Sequence, residues 1–242
     1  MAKTNKSKRN RQTVYVTKIN IEESGIVIPK HIKQLKNPRK HFRLEEYNLK
    51  LNTLKNDLNN LQHALENAKK ATPPIPITAH DNLMIFNYYS AVIQYFVILD
   101  VMINNILTQH QIEQNVNSDE VKYYSKIDHG INEFLPQKDR SKEFDKKYTR
   151  IKHFRTLRNQ FSHYSYGTFM LEAKQESFES FLISLNGIEF KTQGGFHGYL
   201  DGKPGMSLPY HFTSGEFVHT LFDEGTEFYI ELLEIFFHDQ KC

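Results

Sequence analysis

The sequence predicts an all-α fold: a helical bundle with a small β-rich insertion before its last helix and a basic, extended arm at its N-terminus. Three observations lead to this prediction. Apolar residues recur at helical spacing after residue 43, a later segment is rich in glycine and turn residues, and the first residues are strongly basic. The chain has 242 residues, of which 39% are hydrophobic, enough to bury a core. We therefore expect residues 1–42 to form the arm and residues 43–242 one helical domain, with residues 167–212 as its insertion.

The arm carries most of the charge asymmetry. Residues 1–50 hold 13 Lys/Arg and 4 Asp/Glu, whereas the rest of the chain holds 18 and 24. A basic end attracts polyanions, although a tail that only adds solubility explains MAKTNKSKRNRQ equally well. The following TVYVTKINI and GIVIP are rich in β-branched residues and predict a small hairpin or an extended strand.

Cysteine usage and hydropathy favour a cytoplasmic protein without membrane contact. Cys242 is the single cysteine, so no intrachain disulfide and no cysteine-based metal site is expected. The basic start is not followed by an apolar run, which argues against a signal peptide. The most apolar segment, residues 84–107, is interrupted by five amide or acidic residues, which predicts a buried core helix rather than a membrane span: Asn87, Gln94, Asp100, Asn104 and Asn105.

The first predicted helix has a heptad pattern. Apolar residues alternate at spacings of three and four in a seam of eight: Leu44, Tyr47, Leu51, Leu54, Leu58, Leu61, Leu65 and Ala68. The seam packs either within its own bundle or against a second chain. ATPPIPIT then ends the helix, because consecutive prolines remove backbone donors.

Three further helices precede the insertion. Asp81 is the expected cap of the central apolar helix. A shorter helix over SDEVKYYSKIDHGINEFL has Ser118 as its candidate cap and ends before Pro136. The next helix begins near Ser141 and continues to about Tyr164.

Residues 167–212 have strand and turn chemistry. FLISLNGIEFKTQGGFHGYLDGKPGMSLPYHF mixes short apolar runs with glycines and an Asp-Gly pair, which predicts hairpins. Its glycines match neither a P-loop nor a dinucleotide-binding pattern. Thr213 and Glu216 have the spacing of a capping box, and an amphipathic helix follows them.

The segment FRTLRNQFSHYSYG, residues 154–167, carries the candidate chemistry. Arg158 is followed after four residues by His163, with Asn159 directly after the arginine, and this is the only arginine–histidine pair at such spacing in the chain. Asn159 is four residues from His163, so its amide can orient the imidazole ring. The alternative is that Asn159 and His163 are an ordinary solvated pair.

Helix geometry complicates a joint role for the two residues. Arg158 and His163 diverge by about 140° around an ideal helix, whereas the apolar face consists of Ile151, Phe154, Leu157 and Phe161. They converge on one phosphate only if the arginine curls over, the helix end is distorted, or a partner subunit supplies a second copy across a twofold axis. The last arrangement gives a groove with two arginines and two histidines.

This residue set suits RNA cleavage without a metal ion. A histidine titrates near neutral pH and exchanges protons, and a guanidinium binds phosphate with two hydrogen bonds. The nucleophile is the 2′-hydroxyl of the RNA, so DNA is not a substrate.

The motif LRNQFSHY on the penultimate helix of a bundle resembles the HEPN superfamily, whose hallmark is an arginine and a histidine separated by four to six residues. The resemblance covers about ten residues strongly and the helical layout of residues 80–240 loosely. It implies a dimeric, metal-independent endoribonuclease that acts as a toxin or in defence against phage. It gives Arg158 the phosphate-stabilising role, His163 the acid–base role and Asn159 a supporting role.

One departure from the family affects regulation. Some family toxins have a tyrosine two residues after the histidine that an antitoxin modifies, but Ser165 stands at that position here. An antitoxin or other regulatory protein is still an expected partner, although that particular modification is not expected.

Further residues around the motif suit substrate binding. We expect Arg155, Lys152, Tyr164 and Ser162 to contact RNA. Other basic and aromatic groups on or near the motif helix could hold a single strand, or form a solvated face: Lys122, Tyr123, Tyr124, Lys146, Lys147 and Arg150. No histidine pair has the spacing of a zinc site, and no cofactor is expected.

A second functional interpretation belongs to a different class. The chain is then a non-catalytic HEPN-like module that binds RNA, a nucleotide or a protein, with the heptad helix as its docking surface.

Overall fold

A computed structural model describes residues 37–70, 77–114, 116–117, 120–124, 126–163, 168–172, 176–190, 197–200 and 203–237. Six α-helices and four strands lie in these ranges. The helices are α1 (Pro38–Lys69), α2 (Ile77–Glu113), α3 (Ile127–Phe134), α4 (Lys142–His163), α5 (Glu176–Ile183) and α6 (Glu216–Phe236). The strands are β1 (Thr168–Glu172), β2 (Ile188–Phe190), β3 (His197–Leu200) and β4 (Lys203–Phe212). The predicted all-α character is confirmed, since helices dominate the described residues.

The basic tail, the predicted hairpin and the proline-rich break at residues 71–76 lie outside the described residues. The compact unit that contains the bundle begins at Arg39. α1 begins at Pro38, a few residues before the heptad seam.

The heptad seam packs inside the bundle. Tyr47, Leu51, Leu54, Leu58 and Leu65 are buried, whereas Leu61 is exposed. The Tyr47 ring stacks on Tyr229 of α6 with centroids 4.3 Å apart, and its hydroxyl bonds those of Tyr95 (2.7 Å) and Thr226 (3.0 Å). A Cβ at Gly225 would lie 1.9 Å from the Tyr95 hydroxyl, so this contact between α2 and α6 requires glycine.

α2 is the central helix. It is long and apolar enough over Leu83–Glu113 to cross a membrane, but 56% of the most apolar window is buried inside the bundle, as in a core helix. The helix begins at Ile77, so the predicted cap at Asp81 is wrong. Residues 77–80 extend the helix by one turn before Asp81.

Two buried amides of α2 hold the chain that precedes α3. Asn104 donates to the Tyr124 carbonyl and accepts from the Tyr124 N–H, both at 3.0 Å. Gln111 does the same with the backbone of Lys122, at 3.0 and 2.9 Å. These side chains act as strand partners, so residues 121–124 are extended and the predicted helix is confined to Ile127–Phe134. Ser118, its predicted cap, lies outside the described residues, and the helix ends before Pro136 as predicted.

The insertion contains an antiparallel sheet with β4 at its centre. β4 pairs with β1, β2 and β3, with Phe169 opposite Leu208 and Phe190 opposite Tyr210. The predicted strand content is confirmed, but Phe181, Leu182 and Ile183 belong to α5 rather than to a strand. Phe178, Phe181, Leu182 and Leu185 recur at helical spacing and are buried, which explains the helix. The prediction that the motif helix is the penultimate helix is therefore wrong, because α5 lies between it and α6.

The last helix begins differently from the prediction. Gly215 is the N-terminal cap residue of α6, and the Ser214 hydroxyl accepts from the Glu216 N–H at 3.3 Å. The Thr213 N–H donates to the Gly187 carbonyl, and the Glu216 carboxylate accepts from Asn186. The predicted capping box between Thr213 and Glu216 is therefore wrong, because both groups bind the turn before β2.

Candidate active site

α4 presents the motif, and its boundaries agree with the sequence prediction. The Ser141 hydroxyl accepts from the Phe144 N–H at 3.0 Å and caps the helix start. The predicted apolar face is confirmed, because Ile151, Phe154, Leu157 and Phe161 are all buried. α4 therefore presents its remaining positions to α2 and to the surface.

Two arginines of α4 pack on one aromatic ring of α2. The guanidinium carbons of Arg155 and Arg158 lie 5.6 and 5.8 Å from the centroid of Phe96. Phe96 is buried, so it positions both cations without neutralising either of them. This face of α4 is directed towards α2.

Arg155 is neutralised by two carboxylates. Its Nη2 donates to Asp100 at 2.8 Å, and its Nη1 lies 3.1 Å from Asp128 of α3. Asp128 also accepts from the Tyr148 hydroxyl at 2.6 Å. Both terminal nitrogens of Arg155 are occupied and 84% of the side chain is covered, since its relative exposure is 16%. The predicted substrate contact for Arg155 does not fit this geometry, which instead connects α2, α3 and α4.

Arg158 has the opposite environment. Its guanidinium forms no hydrogen bond and no ion pair with any residue in the described part of the chain. The Nε atom is fully buried and unpartnered, whereas the terminal nitrogens are not enclosed. The guanidinium is half-buried against Phe96 and has no hydrogen-bond or ion-pair partner among the described residues, so it is suited to bind an anion.

The Asp100 carboxylate interacts electrostatically with both arginines. Burial raises the pKa of its carboxyl above the usual value, and the charges of Arg155 and Arg158 oppose that rise. Desolvation is the largest influence on this pKa, so the surroundings of Asp100 on balance favour its protonated form.

The remaining motif residues lie on other faces of α4. Asn159 is exposed and forms no side-chain hydrogen bond with another described residue. Position 163 is the last of the helix and lies on the same stripe as Lys152 and Asn159 by helix register. The Ser162 hydroxyl donates to the Arg158 carbonyl at 3.0 Å, which leaves its oxygen able to accept. Tyr164 lies outside the described residues.

Lys152 keeps a free charge next to the motif. Its ammonium lies 4.8 Å from the centroid of the Tyr148 ring and forms no ion pair among the described residues. It borders a cavity of about 340 Å³ together with Asp128 and Arg140. Lys152 is thus suited to a phosphate contact.

Regular helix geometry separates Arg158 from position 163. α4 is helical to its last residue, and Arg158 is directed towards α2 while Asn159 is exposed. A distorted helix end therefore does not bring the two positions together. Of the three arrangements considered from sequence, a curled arginine and a second subunit remain.

Two residues of this site were not identified from the sequence. Phe96 and Asp128 lie 62 and 27 positions before Arg158 and Arg155 in the numbering. The spacing of Phe96 and Asp100 by four residues in α2 was a usable signal, because it places a ring and a carboxylate on one helix face. Asn104, another polar residue of α2, binds the backbone of Tyr124 and does not contribute to this site.

No group of three or more metal-binding side chains occurs among the residues that the structure covers. No protein-family model, curated protein or solved structure matches this chain. The resemblance stated above thus rests on the motif and on the helical layout.

Proposed function

We propose that this protein is a metal-independent endoribonuclease of the HEPN type that acts as a homodimer. The observation that carries the proposal is the guanidinium of Arg158, which packs on Phe96 and has no hydrogen-bond or ion-pair partner among the described residues. Arg158 binds the scissile phosphate, His163 transfers protons and Asn159 orients the imidazole.

The chemistry needs only the RNA and these side chains. One histidine removes the proton from the 2′-hydroxyl, whose oxygen attacks the adjacent phosphorus and forms a bond to it. The bond from phosphorus to the 5′-oxygen breaks, and a second histidine donates a proton to the leaving oxygen. The products are a 2′,3′-cyclic phosphate and a 5′-hydroxyl. Arg158 offsets the negative charge that grows on the phosphate oxygens.

A twofold dimer supplies the second histidine and brings each arginine towards a histidine of the other chain. An apolar stripe of α2 borders the contact between α2 and α4 and suits such an interface. Its members are exposed by 58%, 60% and 39%: Phe86, Val97 and Val101. Exposed apolar side chains along one stripe are favourable when a second copy covers them.

The resemblance further suggests a cellular role as a toxin or in antiphage defence, with an antitoxin or another regulatory protein as partner. A cytoplasmic location belongs to the same proposal.

RNA cleavage in the presence of EDTA tests the proposal. We expect the wild-type protein to cut mixed cellular RNA and leave 2′,3′-cyclic phosphates. Arg158→Ala and His163→Ala should each lose activity by about 100-fold or more, because each removes a group that acts in the transition state.

His219→Ala is the matched control, since His219 is exposed on α6 and lies outside the motif. Equal inertness of the wild-type protein and both variants on tRNA, mRNA and rRNA would instead favour the non-catalytic binding module.

A further inference from the structure

α4 and α5 border an open groove of about 520 Å³. One wall consists of Lys142, Lys146 and His153 of α4, and the other carries Ser177 and Ser180 of α5. Both serines are exposed. The groove is thus lined by ammonium groups on one side and hydroxyl groups on the other.

The groove has a net positive charge. Lys142 and Lys146 form no ion pair with any carboxylate in the described ranges, and neither ammonium group donates a hydrogen bond or packs on an aromatic ring there. The carboxylate in the groove, Asp145, lies 3.6 Å from Arg140, which offsets its charge. Two cations are therefore left without a counter-ion.

Arg150 does not add to this charge, because it is already neutralised. Its Nε and Nη2 atoms donate to the two oxygens of Glu224, both at 2.6 Å. The guanidinium also lies 5.2 Å from the centroid of Phe181, which fixes it between α4, α5 and α6. Arg150 thus shapes the floor of the groove.

The opposite side of the lysine row carries more carboxylates. Lys142, Lys146 and Arg150 also border a second cavity of about 570 Å³ towards α6, whose other lining residues are Glu143, Lys147, Glu224 and Glu227. These carboxylates offset most of the positive charge on that side, whereas the wall of α5 carries hydroxyl groups instead. A polyanion is therefore attracted more strongly to the side of α5.

His153 adds an aromatic ring to the α4 wall of the groove. Its ring lies 5.2 Å from that of Phe181 and 5.9 Å from that of Phe178, centroid to centroid. Burial, followed by the charges of Arg150 and Lys152, lowers the pKa of His153, so the ring is neutral at pH 7. A neutral imidazole can donate and accept hydrogen bonds to ribose or base without adding charge.

We propose that the groove between α4 and α5 binds the phosphodiester backbone of an RNA strand that is cleaved at the other end of α4. This inference rests on the proposed function. Lys142 and Lys146 contact phosphates, and Ser177 and Ser180 donate hydrogen bonds to phosphate or ribose oxygens.

The groove is remote from the motif. Lys146 precedes position 163 by 17 residues, which is about 25 Å along a helix. The contacts therefore lie several nucleotides from the scissile phosphate, and they add affinity for long substrates without taking part in the reaction. The insertion takes part in this RNA binding, because it contains α5.

Binding of a fluorescein-labelled 2′-O-methyl RNA, measured by anisotropy at several salt concentrations, tests the inference. This probe cannot be cleaved by 2′-hydroxyl attack, so binding is read independently of catalysis. The double variant Lys142→Glu/Lys146→Glu should weaken binding by about tenfold or more and reduce the slope of log K against log salt by about 1.4.

Two further variants locate the site. Ser177→Asp/Ser180→Asp places negative charge on the wall of α5 and should also weaken binding. Lys69→Glu/Lys70→Glu changes the same charge at the end of α1, where these exposed lysines form no ion pair among the described residues, and should match wild type.

Wild-type affinity and salt slope in Lys142→Glu/Lys146→Glu would overturn the inference, as would equal losses in the control at Lys69 and Lys70. Loss with the lysine variant but none with the serine variant would also overturn it, because the wall of α5 would then be uninvolved. If only the nuclease proposal fails, the labelled probe still binds through the groove, and unmodified RNA is bound but not cleaved.

Discussion

Arg155 and Arg158 are one helical turn apart and pack on the same ring, yet only Arg158 keeps its charge uncompensated. The difference is set by Asp100, which is 55 residues from Arg155, and by Asp128 of α3. Sequence patterns within α4 could identify the motif but could not separate these two arginines, since the carboxylates that distinguish them come from other helices. An interpretation of Arg155 as a substrate contact follows naturally from the sequence alone.

Asp100 makes a pH-dependent contribution to stability. Its pKa in the folded protein is raised, so the folded state holds the proton more tightly than the unfolded state between the two pKa values. The contribution of Asp100 to the free energy of unfolding therefore falls as pH rises through this window. Asp100→Asn removes this dependence.

We expect the free energy of unfolding of Asp100→Asn, relative to wild type, to increase as the pH rises from about 4 to 7. Urea unfolding at a series of pH values measures it. A difference that stays constant or decreases over that range would contradict the assignment, and Asp57→Asn on the exposed face of α1 is the control.

α4 is fixed at its motif end by an aromatic cluster. Phe161 stacks on Tyr89 of α2 with centroids 4.1 Å apart and lies 5.9 Å from Phe169 of β1. Phe169 in turn stacks on Tyr210 of β4 at 4.0 Å, and the hydroxyls of Tyr210 and Tyr89 are hydrogen-bonded. The insertion thus holds the end of the motif helix against the bundle.

Phe161→Ala should lower the free energy of unfolding by about 3–5 kcal/mol, because it leaves a cavity within this cluster. Leu49→Ala is the comparison, since Leu49 is 69% exposed on α1 and its loss should change stability by less than about 0.5 kcal/mol. Equal denaturant midpoints for the two variants would show that the cluster does not stabilise the motif end.

Elements whose ends depend on nearby residues were predicted more accurately than elements held by residues far away in the sequence. Ser141 and the apolar period of α4 predicted the boundaries of that helix correctly, and Pro136 predicted the end of α3. Caps, prolines and periodicity act over a few residues, so they can be recognised in the sequence. Residues 121–124 were expected to be helical, but Asn104 and Gln111 of a distant helix hold them extended. The residues of α5 were predicted to form strands, because the surrounding glycines and short apolar runs obscured the helical spacing of its apolar residues.

Among the described residues, α4 carries more cations without an ion pair than any other helix. Four cations of α4 form no ion pair within the described residues: Lys142, Lys146, Lys152 and Arg158. Most other described lysines and arginines are paired, for example Lys122 with Glu133 and Lys147 with Glu231. Of the basic groups suggested from sequence as RNA contacts, Lys146 and Lys152 keep that role in our proposals.

The proposed dimer gives the exposed stripe of α2 its function. Val97→Glu/Val101→Glu introduces charge into the interface, so we expect a monomer in sedimentation velocity and loss of RNA cleavage, with unchanged helical content by circular dichroism.

Leu49→Glu, an equally polar change on α1, should remain a dimer and stay active. A Val97→Glu/Val101→Glu protein that is dimeric and cleaves RNA normally would exclude this stripe as the interface.

The composite site can be tested by mixing two inactive proteins. Neither Arg158→Ala nor His163→Ala has all the groups required, but a mixed dimer keeps one Arg158 and one His163. We expect RNA cleavage in EDTA to reappear after subunit exchange between the two variants, at a small fraction of the wild-type rate. The one remaining His163 removes the 2′-hydroxyl proton, and water protonates the leaving 5′-oxygen in place of the second histidine. Wild-type protein that leaves RNA intact, or variant mixtures that form mixed dimers and stay inactive, would contradict the account.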